Sequence, residues 1–234
     1  MIETRSRRVG AGALTLGLTL MAIRAWAADA PTAYPTMAPL DQYLMDRDAE
    51  ISLARSAAPD AISYDAKVLV LGRQGYETAA EGKNGFVCAV ERAWMGPFDD
   101  PGFWNPKIRG PLCSNPPAVR SILPITFKRT ELVLAGLSRP QIMERLKASL
   151  AKKELPPLEP GAMSYMMSKD AYLSDDGEHR FAHLMFYTPL MDGASWGADL
   201  PNSPVILFPQ FHGAPEPINV FIIATRKWSD ATRQ

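Results

Sequence analysis

Three histidines, His179, His183 and His212, are the side chains of this 234-residue sequence best suited to bind a metal ion or to transfer a proton near neutral pH. His179 and His183 are four residues apart, a spacing at which a helix brings two imidazoles to one ion. However, the apolar run 181–187 predicts a strand, and four residues of a strand span about 13 Å. These two histidines are therefore poorly placed to share one ion.

A metal site in which distant residues meet stays open. Its candidate ligands are His183 and His212, together with a carboxylate such as Glu178 or Glu216. Zinc held by imidazole and carboxylate ligands activates water in hydrolases. One hypothesis is therefore a hydrolase, with or without a metal, that uses His183 and His212. The alternative is that these residues are ordinary hydrogen-bonded histidines.

Two serines lie in motifs known from acyl-transfer enzymes, but their surroundings do not support either motif. Residues 193–197 match the G-x-S-x-G elbow, in which a strand turns sharply into a helix and exposes Ser195. Two prolines within 198–204 exclude that helix. Residues 149–152 match S-x-x-K at the end of an amphipathic helix, without the companion motifs of penicillin-recognising enzymes. The sequence assigns no catalytic residue.

Two long segments, 94–117 and 188–217, combine prolines with large aromatic side chains. Proline disfavours regular ladders whereas aromatic rings need burial, so both segments are predicted to be ordered loops packed on the body of the protein. Such loops can line an apolar pocket or a partner surface, or they can simply cap the core. The candidate ligand-binding residues are Trp94, Trp104, Trp196 and Phe211.

Other polar motifs are explained by turns. Asp175-Asp176-Gly177 is a typical turn sequence, and it lacks the full ligand pattern of a calcium-binding EF-hand loop. Gly72–Gly75 is a turn between strands without the following helix that phosphate binding requires. The cofactor, if the protein has one, stays unknown.

The N-terminus has the features of an export signal. Arginines at 5, 7 and 8 precede an uncharged apolar stretch, 9–23, and an Ala-x-Ala motif ends at residue 27. This order is typical of a signal peptide that is removed. We therefore expect a signal peptide over 1–27, a flexible leader over 28–38 and one globular domain over 39–234, exported to the periplasm or the exterior of a bacterium. The paired arginines leave open whether a folded or an unfolded chain crosses the membrane.

The composition of the remaining chain excludes two classes of partner. Removal of 1–27 takes four arginines and one glutamate from 25 basic and 25 acidic side chains, which leaves a net charge of −3. There is no basic surface to bind nucleic acid and no further apolar run long enough to span a membrane. The partner is expected to be a small molecule or a protein.

The two cysteines, Cys88 and Cys113, are expected to form a disulfide in an oxidising compartment. The alternative is two separate buried thiols. A redox-active pair is disfavoured because the cysteines lack C-x-x-C spacing.

The pattern of elements predicts an α+β fold. One helix is expected over Pro39–Ala57, a kinked helical region over 118–135, and a helix that begins at Ser138 with a capping box. The predicted strands are 67–71, 76–79, 86–90, 162–168, 180–188, 205–208 and 218–225. Asn84-Gly85 predicts a hairpin between the second and third of these strands. A mainly antiparallel sheet with helices packed on one face is therefore expected.

Three functions remain open at this point: a binding protein for a small molecule or a partner, a hydrolase, and a structural protein of the cell envelope.

Overall fold

An eight-stranded, mostly antiparallel sheet carries the helices of this chain in a computed structural model, which describes residues 33–177, 181–208 and 215–234. The strand order is β2-β1-β3-β4-β5-β6-β8-β7, and the neighbours β1 and β3 run parallel. The α+β class is thereby confirmed. The strands are β1 (Lys67–Gly72), β2 (Gly75–Ala80), β3 (Val87–Glu91), β4 (Gly110–Ser114), β5 (Met163–Met166), β6 (His183–Pro189), β7 (Val205–Phe208) and β8 (Ile218–Ala224).

Five α-helices lie within the described ranges: α1 (Arg47–Arg55), α2 (Asp60–Ser63), α3 (Pro116–Ser121), α4 (Leu123–Leu134) and α5 (Arg139–Ala151). Short 3-10 helices cover Leu40–Gln42, Ala93–Met95 and Gly193–Trp196. None of the described helices is long and apolar enough to cross a membrane.

The first helical region is divided where a single long helix was expected. A 3-10 turn over Leu40–Gln42 precedes α1, and Asp46 caps α1 by accepting hydrogen bonds from the amides of Asp48 and Ala49. A side chain that caps the backbone in this way begins a new helix. Ala54 then packs α1 against Cys88 and Val90 on one face of the sheet.

The predicted hairpin at Asn84-Gly85 is wrong, because β1 lies between β2 and β3. The chain leaves β2 and crosses the beginning of β1, where the amide of Lys83 donates to the carbonyl of Asp65. A Cβ atom on Gly82 would lie 2.1 Å from the Lys67 nitrogen, so only glycine permits this close crossing. The crossing makes β3 parallel to β1 and places it in the middle of the sheet.

Strand β4 was not expected, because it lies within the proline-rich segment. Pro111 is opposite Val90 of β3, and β4 pairs with β5 only at Cys113 and Ser114. Pro111 therefore lies beyond the end of the β4–β5 ladder, where a residue without a backbone N–H is tolerated. In this register Cys88 is directly opposite Cys113, and the two form a disulfide with a sulfur–sulfur distance of 2.02 Å. The predicted disulfide is confirmed.

The central helices cover the opposite face of the sheet from α1, so the expectation that the helices pack on one face is wrong. Helices α3 and α4 are separated at Ile122, and Pro124 lies in the first turn of α4, where a proline is tolerated. Ile122 and Ile125 pack against Met185 and Ile222 of the sheet. Helix α5 begins with the predicted capping box at Ser138 and packs on α4. A space remains on this face, beside α4 and beneath the loops.

Candidate functional site

A cavity of about 550 Å³ lies on the face of the sheet that carries α3 and α4. Strands β3, β4, β5, β6, β7 and β8 supply its floor, and the segments around residues 34, 100 and 175 supply its mouth. Most of the lining is apolar, including Ile122, Met185 and Ile222. Clefts of this size and character are typical of small-molecule sites.

Glu91 is the acidic side chain on the floor of the cavity. It ends β3, and strand alternation places it on the same face as the core residues Val87 and Ala89. The Thr126 hydroxyl donates a 3.2 Å hydrogen bond to its Oε1. Glu91 is partly buried, and it lines the cavity. Burial therefore raises the pKa of Glu91 to about 7, against the opposing effects of the Thr126 hydrogen bond and the charge of Arg129.

Gly110 leaves room beside that carboxyl group. It is directly opposite Glu91 in the β3–β4 ladder, and it lines the cavity. A Cβ atom at this position would lie 3.4 Å from Leu173 Cδ2 and 3.6 Å from Met166 Cε, which are ordinary contact distances. A Cβ atom therefore fits at 110, and a side chain there would project from the same face of the sheet as Glu91, toward the cavity.

His183 and Tyr187 are the polar side chains that β6 contributes. Nδ1 of His183 lies 2.8 Å from the carbonyl of Phe181, and the imidazole is buried. The Tyr187 hydroxyl donates to Ser164 Oγ at 3.2 Å, and burial raises the pKa of Tyr187. Strand β6, which carries His183, is three strand spacings, about 14 Å, from strand β3, which carries Glu91. A ligand of moderate size could therefore contact both.

Two buried arginines beside the cavity are each paired with a glutamate. Nη2 of Arg92 is 2.9 Å from Glu50 Oε1, and its Nε donates to the carbonyl of Tyr43. Nε and Nη2 of Arg129 contact the two carboxylate oxygens of Glu216 at 2.8 and 3.0 Å. The bidentate geometry of the Arg129–Glu216 pair and the backbone hydrogen bond of Arg92 offset the cost of burying these charges. Glu216, which the sequence analysis named as a candidate metal ligand, is therefore the ion-pair partner of Arg129.

A polar clasp closes part of the mouth. The Asp175 carboxylate accepts hydrogen bonds from the hydroxyls of Tyr34 and Tyr172 and pairs with Lys107 at 3.2 Å. These donors hold the pKa of Asp175 well below its usual range. The clasp joins the segment at Tyr34 to the 172–177 turn. In the described part of the chain, no group of three or more His, Cys, Asp or Glu side chains is arranged to hold a metal ion.

Three of the four predicted aromatic residues, Trp94, Trp104 and Trp196, lie away from the cavity. Trp94 and Trp104 are buried in the core cluster with α4 and α5, and Trp94 Nε1 donates to Thr130 Oγ1 at 3.1 Å. Trp196 stacks on Phe221, with ring centroids 4.5 Å apart, on the face of the sheet opposite Tyr187. None of these three tryptophans lines the cavity within the described ranges.

Other predicted residues either fall outside the described ranges or have local roles. Phe211, His212, Glu178 and His179 lie outside the described residues, so the pairing of His183 with His212 stays a prediction. The hydroxyl of Ser195 donates to the carbonyl of Asp192 within a 3-10 helix. This geometry differs from a nucleophile elbow, which requires a strand followed by a helix.

Sequence reasoning missed the two residues that shape the cavity floor, Glu91 and Gly110. One signal was present: an acidic residue directly follows the apolar run 86–90. Gly110 carried no comparable signal, because strand β4 itself was hidden by Pro111.

Comparison with protein-family models, with curated proteins and with solved structures finds no match to this chain. The function is therefore inferred from the chemistry of the cavity.

Proposed function

We propose that this chain is an exported protein that binds a small, largely apolar molecule in the cavity on the helix-bearing face of its sheet. The observation that carries the proposal is a cavity of about 550 Å³ with a mostly apolar lining and a few polar groups, among them Glu91, His183 and Tyr187. Apolar walls provide binding free energy, and a small number of polar groups fixes the orientation of a ligand.

The export part of the proposal rests on the N-terminal sequence and is supported by the disulfide. Basic, apolar and small-residue regions follow one another over 1–27, and Cys88 and Cys113 are joined. Disulfides persist in oxidising compartments such as the bacterial periplasm. N-terminal sequencing of the protein recovered from the periplasm or the medium should give a chain that begins near Ala28. An uncleaved chain in the cytosol would contradict export.

The binding part can be tested with a cavity-filling variant and a matched control. Gly110→Leu places an isobutyl group in the cavity, whereas Ala148→Leu adds a leucine on the exposed surface of α5. A thermal-shift screen of small apolar compounds should find ligands that stabilise the wild type and Ala148→Leu but not Gly110→Leu. If no compound binds, or if every shift is the same in Gly110→Leu, the proposed site is wrong.

A hydrolase is the second candidate, because His183 lines the cavity. An imidazole beside a bound substrate can act as a general base. This alternative predicts hydrolysis of small apolar esters that His183→Ala abolishes, with ligand affinity retained. If turnover is equal in wild type and His183→Ala, the proposal that His183 serves a hydrolase is wrong. A purely structural envelope role, by contrast, predicts no ligand at all.

A further inference from the structure

We infer that the ligand is an organic cation, an amine attached to an apolar body, whose ammonium group is held by the Glu91 carboxylate on the cavity floor. The inference rests on the proposed function, since it assigns a chemical class to the ligand of the same cavity.

The Glu91 carboxylate lines the cavity as a hydrogen-bond acceptor. Among the described residues, Thr126 is the hydrogen-bond donor to Glu91, and it contacts Oε1. No donor in the described part of the chain is seen to contact Oε2. An ionised carboxylate accepts several hydrogen bonds, so an ammonium group in the cavity finds an acceptor at Glu91.

The two buried arginines near Glu91 are already paired with other groups. Arg92 pairs with Glu50 and donates to two backbone carbonyls. Arg129 holds both oxygens of Glu216, and its Nη1 donates to the carbonyls of Trp94 and Gly96. An anionic ligand that paired with either arginine would have to break one of these buried ion pairs, which is strongly unfavourable. The cavity is therefore better suited to a cation than to an anion.

Acidic side chains and an aromatic ring lie at the mouth of the cavity. Asp100 and Asp176 line it beside Asp175, whose charge is paired with Lys107, and the ring of Phe181 lines it as well. Acidic groups at the mouth of a low-dielectric cleft raise the local concentration of cations. The faces of aromatic rings attract the same ligands through cation–π interactions.

The acid–base behaviour of Glu91 then links binding to pH. The groups that act on its carboxyl are Thr126 and Arg129 of α4, while Tyr76 of β2 and Tyr187 of β6 are titratable groups close enough to respond to the charge of Glu91. Both tyrosine pKa values are raised, so these two side chains remain neutral over the working range. With a Glu91 pKa of about 7, about 1% of this group is ionised at pH 5 and about 90% at pH 8. Aliphatic amines stay protonated throughout that range, so amine binding should strengthen as pH rises.

Isothermal titration calorimetry on the disulfide-intact mature chain can test the inference. The first probe series is phenylbutylamine, phenylbutanol and phenylbutyrate, which share one apolar body. The second series has an adamantyl body and consists of adamantylmethylamine, adamantylmethanol and adamantanecarboxylate. A charge-assisted hydrogen bond predicts that each amine binds about 10- to 100-fold more tightly than its alcohol at pH 8. That preference should vanish at pH 5 and in Glu91→Gln. It should persist in Glu144→Gln, which removes an exposed carboxylate on α5.

The outcomes separate the inference from the proposed function. If alcohols or carboxylates bind as tightly as amines, and Gly110→Leu abolishes their binding, the cavity stands and the cation inference is overturned. An amine preference that survives in Glu91→Gln also overturns it, because the acidic mouth alone would explain binding. If no probe binds in a manner sensitive to Gly110→Leu, both fail. Should Glu91→Gln not fold, the pH profile of the wild type decides the question.

Discussion

Replacing Glu91 by glutamine should change how the stability of the protein depends on pH. Burial raises the pKa of this carboxyl from 4.5 to about 7, so the folded state binds the proton more tightly than the unfolded state. The stability linked to Glu91 is therefore fully present below pH 4.5 and is lost as pH rises through 7. Glutamine at the same position carries no titrating group, and its amide oxygen can still accept the Thr126 hydrogen bond.

The pKa difference fixes the size of the effect. Each pKa unit corresponds to about 1.4 kcal/mol, so the full effect on the unfolding free energy is about 3.4 kcal/mol. Between pH 5 and pH 8, Glu91 should lower the unfolding free energy of the wild type by about 2.5 kcal/mol. The Glu91→Gln variant should lack this decline, and its stability relative to the wild type should rise by the same amount.

Urea unfolding of the oxidised protein at pH 5, 6, 7 and 8 measures this difference directly, with Glu144→Gln as the control for loss of an exposed carboxylate. The control should follow the wild type at every pH. Parallel stability profiles for wild type and Glu91→Gln would mean that Glu91 titrates like a solvated carboxylate. Its burial beside the cavity would then be wrong.

Three further predictions concern the framework. Replacing both Cys88 and Cys113 by alanine should lower the unfolding free energy by about 3.5 kcal/mol, because the bridge closes a loop between residues 25 apart; an unchanged urea midpoint would contradict this. Glu216→Gln should lower the unfolding free energy by about 3–5 kcal/mol, since Arg129 stays buried without its carboxylate. Replacing both residues by methionine should recover most of that loss in urea unfolding. Trp94→Ala should cost about 3–5 kcal/mol in thermal or urea unfolding, because the ring is fully buried; a smaller loss would place Trp94 outside the core.

Much of the sheet could be predicted from local patterns. Seven strands coincide with apolar or alternating runs, because a half-buried or fully buried strand needs such side chains. Helix α5 was predicted from its capping box, and the disulfide from the presence of two cysteines in an exported chain. These features depend on residues that are close in sequence or on a single pair.

The connections between strands could not be predicted in the same way. Asn84-Gly85 is a strong local signal for a hairpin, but the tertiary structure inserts β1 between the strands that it joins. Pro111 hid β4, because whether a proline interrupts a ladder depends on which neighbour the strand has at that residue. The cavity floor at Glu91 and Gly110 exists only because these two strands pair. The sequence therefore predicted His183 as a candidate site residue, but neither Glu91 nor Gly110 nor the juxtaposition of their strands.

The most direct test of ligand binding is native mass spectrometry of the disulfide-intact protein, purified from the compartment to which its own host exports it. Wild type and Ala148→Leu should each carry a small molecule that is released on unfolding, and Gly110→Leu should be recovered without it. Recovery of the same bound molecule on Gly110→Leu, or of wild type with no bound molecule under gentle conditions, would contradict a ligand in this cavity.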